Sequence, residues 1–331
     1  MIIDHIGVIG GGAWGTALAL TALRAGRRAT LWAVEPETIE NINTHHENRT
    51  YLPGISLDPE LRATNSLSEL ADCDALLIVT PAQFVRPVSR ALAAELTASQ
   101  PIVICAKGIE QSTGQLMSEV LGETLPRAPL AVLSGPSFAI EVARGLPTAV
   151  TLACQDRTLG EALSHGLGHK NFRPYWTDDI TGAEVGGAIK NVLAIAAGIA
   201  DGKAFGASAH AALTTRGFVE LVQLGKTLGG RVETLSGLSG LGDLFLTCSS
   251  PQSRNMSLGR ALGQGQALDD ILSARASVTE GVYTAAAIMD IAGKYQLDLP
   301  ICRAVENVIS GKISVDDAIE GLLSRPFRSE T

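Results

Sequence analysis

Aromatic residues make up only 4% of this 331-residue chain, and its five cysteines never form a Cys-x-x-Cys pair. Scattered cysteines are typical of a reducing cytoplasm and offer no metal framework. A net charge of −8 argues against nucleic acid as a partner. The longest apolar run, residues 192–200, is too short to cross a bilayer, and no secretory signal is visible. We therefore expect a cytoplasmic protein without membrane insertion.

A glycine-rich turn stands between a short apolar strand and a helix at the beginning of the chain. Gly10, Gly12 and Gly15 fit the pattern Gly-x-Gly-x-x-Gly. The first glycine permits a tight turn, the second lets the backbone approach a pyrophosphate, and the third lets the helix pack closely on the strand. Backbone N–H groups at the helix start attract the anion. The pattern predicts a bound dinucleotide.

An acidic residue follows about 20 residues beyond the third glycine, where such folds hold a carboxylate for the adenosine ribose. This residue is Glu35, placed after a predicted second strand over 29–34. The spacing favours a hydrogen bond to the ribose 2′-hydroxyl of NAD. The alternative is a solvent-exposed turn residue before Pro36.

Apolar strands alternate with helical patterns through the first half of the chain. Further strands are predicted over 75–80, 102–106, 130–134 and 148–153, with helices such as 85–98 and 114–121 between them. This alternation predicts an α/β, Rossmann-type, doubly wound and mostly parallel sheet. Only helical patterns follow, over 183–200, 209–228, 255–262, 282–295 and 301–310. We predict a dinucleotide-binding domain over 1–180 and an all-helical substrate domain over 181–331.

Two segments follow predicted strands at the sheet edge where such folds bind ligands. Lys107 lies in Ala106-Lys107-Gly108, and it is either a ligand contact or an ordinary surface charge. The second segment runs from Ser134 to Ala139 and offers a hydroxyl and free backbone N–H groups. Its alternative is a turn that starts a helix, with Ser137 as the cap.

Lys190 is the only basic residue in a predicted helix composed almost entirely of Gly, Ala, Val, Leu and Ile. Such a helix is predicted to be buried on most sides. Burial lowers the pKa of a lysine, so that the group can donate or accept a proton. The alternative is a lysine that extends its ammonium group to the surface.

A glycine-rich turn with Asp243 supplies a carboxylate partner for that lysine, and Thr247 follows it. Ser253-Arg254-Asn255 then leads into a helix, where an arginine and the helix dipole suit a phosphate monoester. Alternatively, Ser253 is a plain N-cap and Arg254 is solvated. We predict no metal site, since glycines 166 and 168 argue against a rigid helix that presents His165 and His169 together.

Taken together, these segments resemble the NAD(P)-dependent glycerol-3-phosphate dehydrogenases of bacterial type from Gly10 to about Gly311. The resemblance implies reversible reduction of dihydroxyacetone phosphate to sn-glycerol 3-phosphate, a phospholipid precursor. It makes Lys190 the acid/base and favours a homodimer. The residues expected to bind substrate are Lys107, Gly135, Ser137, Lys190, Asn191, Asp243, Thr247, Ser253, Arg254 and Asn255. Those expected to bind NAD or NADP are Gly10, Gly12, Ala13, Trp14, Gly15, Glu35, Lys107, Ala139, Arg254, Val278 and Glu280.

This chain departs from the family pattern after Leu31-Trp32, where many bacterial members carry a basic residue or histidine. Here Ala33-Val34-Glu35 follows, which predicts a preference for NADH because Glu35 would repel a 2′-phosphate. A second departure lies over 203–210. The rival functions are a β-hydroxyacid or 6-phosphogluconate-type dehydrogenase and a dinucleotide sensor without catalysis.

Overall fold

The first half of the protein is built on a central sheet whose apolar strands are buried on both faces. A computed structural model describes residues 2–96, 100–274 and 279–327. Within these residues the strands are β1 (His5–Ile9), β2 (Arg28–Trp32), β3 (Glu47–Asn48), β4 (Leu52–Ser56), β5 (Arg62–Thr64), β6 (Ala75–Ile78), β7 (Ile102–Ile104), β8 (Leu130–Ser134), β9 (Thr148–Cys154) and β10 (Phe172–Thr177).

Eight of these strands form one sheet in the order β10-β9-β8-β7-β6-β1-β2-β5, while β3 and β4 form a separate hairpin. Neighbours are parallel except for β8 and β9, which are antiparallel. Register pairs Ile9 with Ile78, Ile78 with Ile104, and Ile104 with Val132. The segments that follow β1, β6, β7 and β8 therefore emerge side by side at one edge of the sheet.

Helices cover the sheet and then make up the second half of the described chain. They are α1 (Ala13–Arg24), α2 (Pro36–Glu40), α3 (Val85–Glu95), α4 (Met117–Thr124), α5 (Ala139–Ala143), α6 (Arg157–Leu167), α7 (Ile180–Gly202), α8 (Gly206–Thr227), α9 (Val232–Leu235), α10 (Asp243–Ser249), α11 (Arg254–Gly263), α12 (Leu268–Ser273), α13 (Glu280–Tyr295), α14 (Pro300–Ile309) and α15 (Val315–Leu323).

Helix α7 is the centre of the helical half and also reaches the sheet. Asp179 caps its first turn by accepting a hydrogen bond from Gly182 N at 2.9 Å. Ala183 packs in the same apolar cluster as Ile78, Ile104 and Val132 of the sheet. The helix is long and apolar enough to cross a membrane by length and composition, but its apolar stretch is entirely buried inside the protein. Its composition is explained by that burial.

The predicted fold class is confirmed: a mostly parallel, doubly wound sheet precedes a helical half. Several element boundaries were wrong. Strand β2 ends at Trp32, and α4 begins at Met117, since Gly114 lies in a turn with a positive φ of 70°. Helix α6 includes His165 but ends at Leu167, so it does not present His165 and His169 together, as the glycines at 166 and 168 predict.

Candidate active site

The three glycines of the loop between β1 and α1 have different surroundings. Gly10 has a φ of +131°, a conformation that other residues rarely adopt, and a Cβ there would lie 3.0 Å from the Val79 carbonyl carbon. A Cβ on Gly15 would lie 1.9 Å from the Gly10 oxygen. A Cβ on Gly12 would meet nothing within 4 Å. The turn, the close packing and the open approach that the sequence predicts are all present.

Buried polar atoms near this loop have no protein partner within the described residues. They are Trp14 Nε1, Thr80 Oγ1, Glu280 Oε2 and Thr284 Oγ1. Glu280 Oε1 accepts a hydrogen bond from Ala82 N at 3.1 Å, so the start of α13 meets the segment after β6. Unpaired buried polar groups are costly, and a polar ligand would satisfy them. The residues present therefore fit a dinucleotide.

Glu280 carries a perturbed carboxyl group. Burial raises its pKa to about 6, against the lowering effects of the Ala82 hydrogen bond and the Arg254 charge. At neutral pH the carboxyl group is therefore mostly ionised and accepts hydrogen bonds where α13 faces the sheet edge. The protonated form, which can donate, becomes populated near pH 6.

Lys190 lies on α7 with its ammonium group buried, and the residue is 7% exposed. Its Nζ donates to Asp243 Oδ1 at 2.5 Å and to Thr247 Oγ1 at 2.9 Å. Burial lowers the pKa of Lys190 to about 8, opposed by Asp243 and assisted by Lys107. The alternative of a lysine that extends to the surface is wrong. A proton donor of this pKa works close to neutral pH.

Lys107 joins the same carboxylate from the sheet side. Its Nζ donates to Asp243 Oδ2 at 2.7 Å and to the Gly135 carbonyl at 2.9 Å. The alternative of an ordinary surface charge is therefore wrong. Asp243 is fully buried and is the first residue of α10, directly after the glycine-rich turn that the sequence shows. One carboxylate thus fixes two lysines from different halves of the chain.

A chain of buried amides runs beside this ion cluster. Asn255 Nδ2 donates to Asn191 Oδ1 at 2.9 Å, and Gly281 N donates to Asn255 Oδ1 at 3.0 Å. Asn191 Nδ2 donates to the Lys107 carbonyl at 3.3 Å. The first turns of α11 and α13 are thereby tied to α7 and to the Lys107 segment.

Ser137, Ser253 and Arg254, the hydroxyl and arginine candidates, lie near the first residues of α5 and α11. Ser137 donates to the Gly135 carbonyl at 3.1 Å and does not cap α5, whose N-cap is Phe138, so the capping alternative is wrong. Ser253 does cap α11, accepting from Met256 N at 3.2 Å. Arg254 is exposed at the first position of that helix, and its charge acts on Glu280.

The remaining candidates lie towards the glycine loop. Trp14 and Ala139, from α1 and α5, pack against the core cluster on one face of the sheet. Glu35 is exposed after β2, and its contact is with the β3–β4 hairpin: Tyr51 Oη donates to Glu35 Oε1 at 3.0 Å. Val278 lies outside the described residues.

Three residues near these candidates were not singled out from the sequence. Thr80 follows β6 at the sheet edge, which is the signal that could have found it. Thr284 lies one helical turn after Glu280, on the same face of α13. Tyr51 lies in an irregular hairpin without periodicity, so its contact with Glu35 leaves no pattern in the sequence.

Comparison with known proteins gives a consistent result along the chain. The family models described as NAD-dependent glycerol-3-phosphate dehydrogenase N-terminus and C-terminus match residues 5–160 and 179–320. Proteins named glycerol-3-phosphate dehydrogenase [NAD(P)+] are 60% identical in Parvibaculum lavamentivorans, over 98% of both chains, and 59% in Rhodospirillum rubrum, over 99% of this chain and 95% of that protein. A glycerol-3-phosphate dehydrogenase structure from Coxiella burnetii superposes with a TM-score of 0.94 at 37% identity, covering 98% of this chain and 99% of that one.

Proposed function

The chain belongs to the NAD-dependent glycerol-3-phosphate dehydrogenase family, and on this premise we propose that Lys190 is its catalytic acid and base. The protein is an oxidoreductase that uses NAD or NADP to interconvert dihydroxyacetone phosphate and sn-glycerol 3-phosphate. The observation that carries the proposal is the buried Lys190 ammonium held against Asp243 and Thr247. When bound, the reduced dinucleotide supplies a hydride to C2 of the substrate.

Lys190 supplies the proton that balances this reduction. Its ammonium form donates a proton to the C2 oxygen, and in the reverse direction its neutral amine accepts one from the C2 hydroxyl. Burial brings its pKa to about 8, so both forms are accessible near neutrality. Asp243 and Thr247 hold the group in one orientation, since each accepts a hydrogen bond from Nζ.

The substrate lies between the two halves of the chain in this proposal. Lys107, held by Asp243 and Gly135, neutralises negative charge on the substrate from the sheet side. Arg254, at the first position of α11 with Ser253 and Asn255 beside it, receives the phosphate at a helix N-terminus. Gly135, Ser137 and Asn191 complete the substrate site.

The cofactor site extends from the lysine cluster to the glycine loop. Gly10, Gly12, Ala13 and Gly15 receive the pyrophosphate at the start of α1, while Trp14, Ala139 and Glu280 line the dinucleotide. Glu35 accepts a hydrogen bond from the adenosine ribose 2′-hydroxyl, and we propose that this interaction makes NADH the preferred cofactor. A carboxylate at that position repels a 2′-phosphate.

The division into domains over 1–180 and 181–331 is part of the same proposal. It places the glycine loop in the first domain and Lys190, Asp243 and Arg254 in the second. We also propose a cytoplasmic homodimer, which sedimentation equilibrium and cell fractionation test.

One steady-state experiment tests substrate, cofactor and catalytic residue together. Purified protein is assayed with dihydroxyacetone phosphate and NADH or NADPH, and separately with 6-phosphogluconate and NAD+ or NADP+. We expect turnover of the triose phosphate alone, with a higher kcat/KM for NADH than for NADPH. Lys190→Ala should lower kcat by about 10²–10⁴-fold while the NADH dissociation constant stays within about twofold.

Lys294→Ala is the matched control, because Lys294 is an exposed lysine on α13. It should leave kcat unchanged. Full turnover by Lys190→Ala would remove this lysine from the mechanism, and turnover of 6-phosphogluconate alone would overturn the substrate assignment.

A further inference from the structure

The carboxylate expected to read the cofactor's ribose is not a free surface group. Tyr51 Oη donates a hydrogen bond to Glu35 Oε1 at 3.0 Å. Partial burial and the neighbouring Glu35 charge raise the pKa of Tyr51, so the phenol keeps its proton and remains a donor at neutral pH. This hydrogen bond restricts the rotamers that the exposed Glu35 side chain can adopt.

Tyr51 is itself anchored to the glycine loop through a buried asparagine. Its backbone N–H donates to Asn48 Oδ1 at 3.1 Å. Asn48 is 1% exposed, and its Nδ2 donates to the Gly11 carbonyl and to Thr16 Oγ1, both at 2.8 Å. Both amide hydrogens are therefore used inside the protein. A continuous set of hydrogen bonds connects the loop expected to bind pyrophosphate with the carboxylate expected to bind ribose.

This arrangement has a consequence for the choice between NAD and NADP. A ribose 2′-hydroxyl needs one acceptor, and Oε2 of Glu35 has no donor among the described residues, while Oε1 is occupied by Tyr51. A 2′-phosphate needs a cation and needs the carboxylate to turn away. Arg49, which lies two residues before Tyr51, donates to Glu47 Oε2 at 2.8 Å. The hydrogen bond to Tyr51 opposes the rotation that a 2′-phosphate would require.

We propose that Tyr51 is a specificity-determining positioning residue. It holds Glu35 in the orientation that accepts a hydrogen bond from the ribose 2′-hydroxyl and excludes a 2′-phosphate. The inference rests on the proposed role of Glu35 as the ribose acceptor. It adds that the preference depends on a second residue, which contacts the carboxylate and need not contact the cofactor.

The test measures cofactor binding in the absence of substrate. Dissociation constants of NADH and NADPH are determined by their fluorescence for the wild type, Tyr51→Phe, Glu35→Ala and the double variant. Phenylalanine keeps the ring and removes only the hydroxyl, so the fold should persist, which a thermal melt checks. Tyr51→Phe should weaken NADH binding by about three- to tenfold and leave NADPH binding equal or tighter.

The double variant distinguishes a positioning role from general support of the hairpin. If Tyr51 acts through Glu35, its replacement in the Glu35→Ala background changes neither dissociation constant by more than about twofold. An equal loss of NADH and NADPH affinity, or the same loss in the Glu35→Ala background, would overturn the proposal. Tyr175→Phe removes a hydroxyl from an exposed residue of β10 and should change nothing.

Arg49→Gln tests the alternative that Arg49, rather than Tyr51, determines the cofactor preference. A selective loss of NADPH affinity in this variant would make Arg49 the specificity determinant and overturn the assignment to Tyr51. Unchanged affinities for both cofactors support it. The proposed catalytic function is judged separately, because a failure to reduce dihydroxyacetone phosphate leaves these binding ratios interpretable.

Discussion

At the scale of single residues, the Lys190 ammonium group predicts how the reaction depends on pH. Burial lowers its pKa to about 8, and reduction of the ketone requires the protonated form. The kcat for reduction should therefore be constant at lower pH and fall about tenfold per pH unit above the pKa. Oxidation requires the neutral amine, so its kcat should fall below the same pKa. Initial rates at saturating cofactor from pH 6 to 10 measure both limbs.

Asp243→Asn tests the sign of this prediction. The Asp243 charge raises the pKa of Lys190, and Lys107 lowers it, so removal of the carboxylate should shift the reduction profile towards lower pH. Asp269→Asn, an exposed change on α12, should leave the midpoint in place. A shift of the Asp243→Asn profile towards higher pH would contradict the assignment of this titration to Lys190.

The residue scale also shows where sequence reasoning reached its limit. Lys190 could be recognised because it is the only basic residue in an apolar helix. The ion pair of Lys107 could not be deduced, since its partner Asp243 lies 136 positions later in the chain. The contact between Tyr51 and Glu35 was equally hidden, because neither residue lies in a periodic segment.

At the scale of elements, the close crossing of α7 and α11 depends on glycines from both helices. A Cβ on Gly198 would lie 2.0 Å from the Met256 carbonyl oxygen, and one on Gly259 would lie 2.0 Å from the Ile195 carbonyl oxygen. Both obstacles are backbone atoms, so the helices would have to separate. We expect Gly198→Ala to lower the free energy of unfolding by about 3 kcal/mol or more in urea titrations.

A glycine elsewhere in the helical half provides the control for this change. A Cβ on Gly293, in α13, would meet nothing within 4 Å. Gly293→Ala should therefore raise the free energy of unfolding by about 0.5–1 kcal/mol, because alanine is the better helix former. Equal destabilisation by both substitutions would show that the crossing does not limit the distance between α7 and α11.

Elements with strong apolar patterns were predicted well, and those with mixed composition were missed. β8 has the predicted bounds of 130–134, and α7 includes the whole predicted segment. Strand β10 was not predicted because Arg173 and Pro174 interrupt its apolar pattern. Helix α6 was missed because glycine lowers helix propensity. Glycine is nevertheless required at position 160, because a Cβ there would lie 2.2 Å from the Trp176 ring. Tertiary packing thus selects glycine where local propensity disfavours it.

At the scale of the whole molecule, the candidate site lies where the two halves of the chain meet. The Lys107–Asp243 ion pair, the Glu280–Ala82 hydrogen bond and the Asn191–Lys107 hydrogen bond all connect the sheet edge with the helices. Ala183 of α7 also packs in an apolar cluster of the sheet. The predicted boundary near residue 180 therefore divides the sequence at a point where packing is continuous.

This continuity predicts that the protein unfolds as one unit and that ligands of either half stabilise all of it. A ligand at 100 times its dissociation constant adds about 2.7 kcal/mol to the free energy of unfolding, and NADH alone and glycerol 3-phosphate alone should each raise the Tm of a single calorimetric transition by several degrees. Two transitions, of which only one responds to NADH, would instead mean that the halves unfold independently. The contacts at the sheet edge would then fix the active-site geometry without coupling the stability of the two halves.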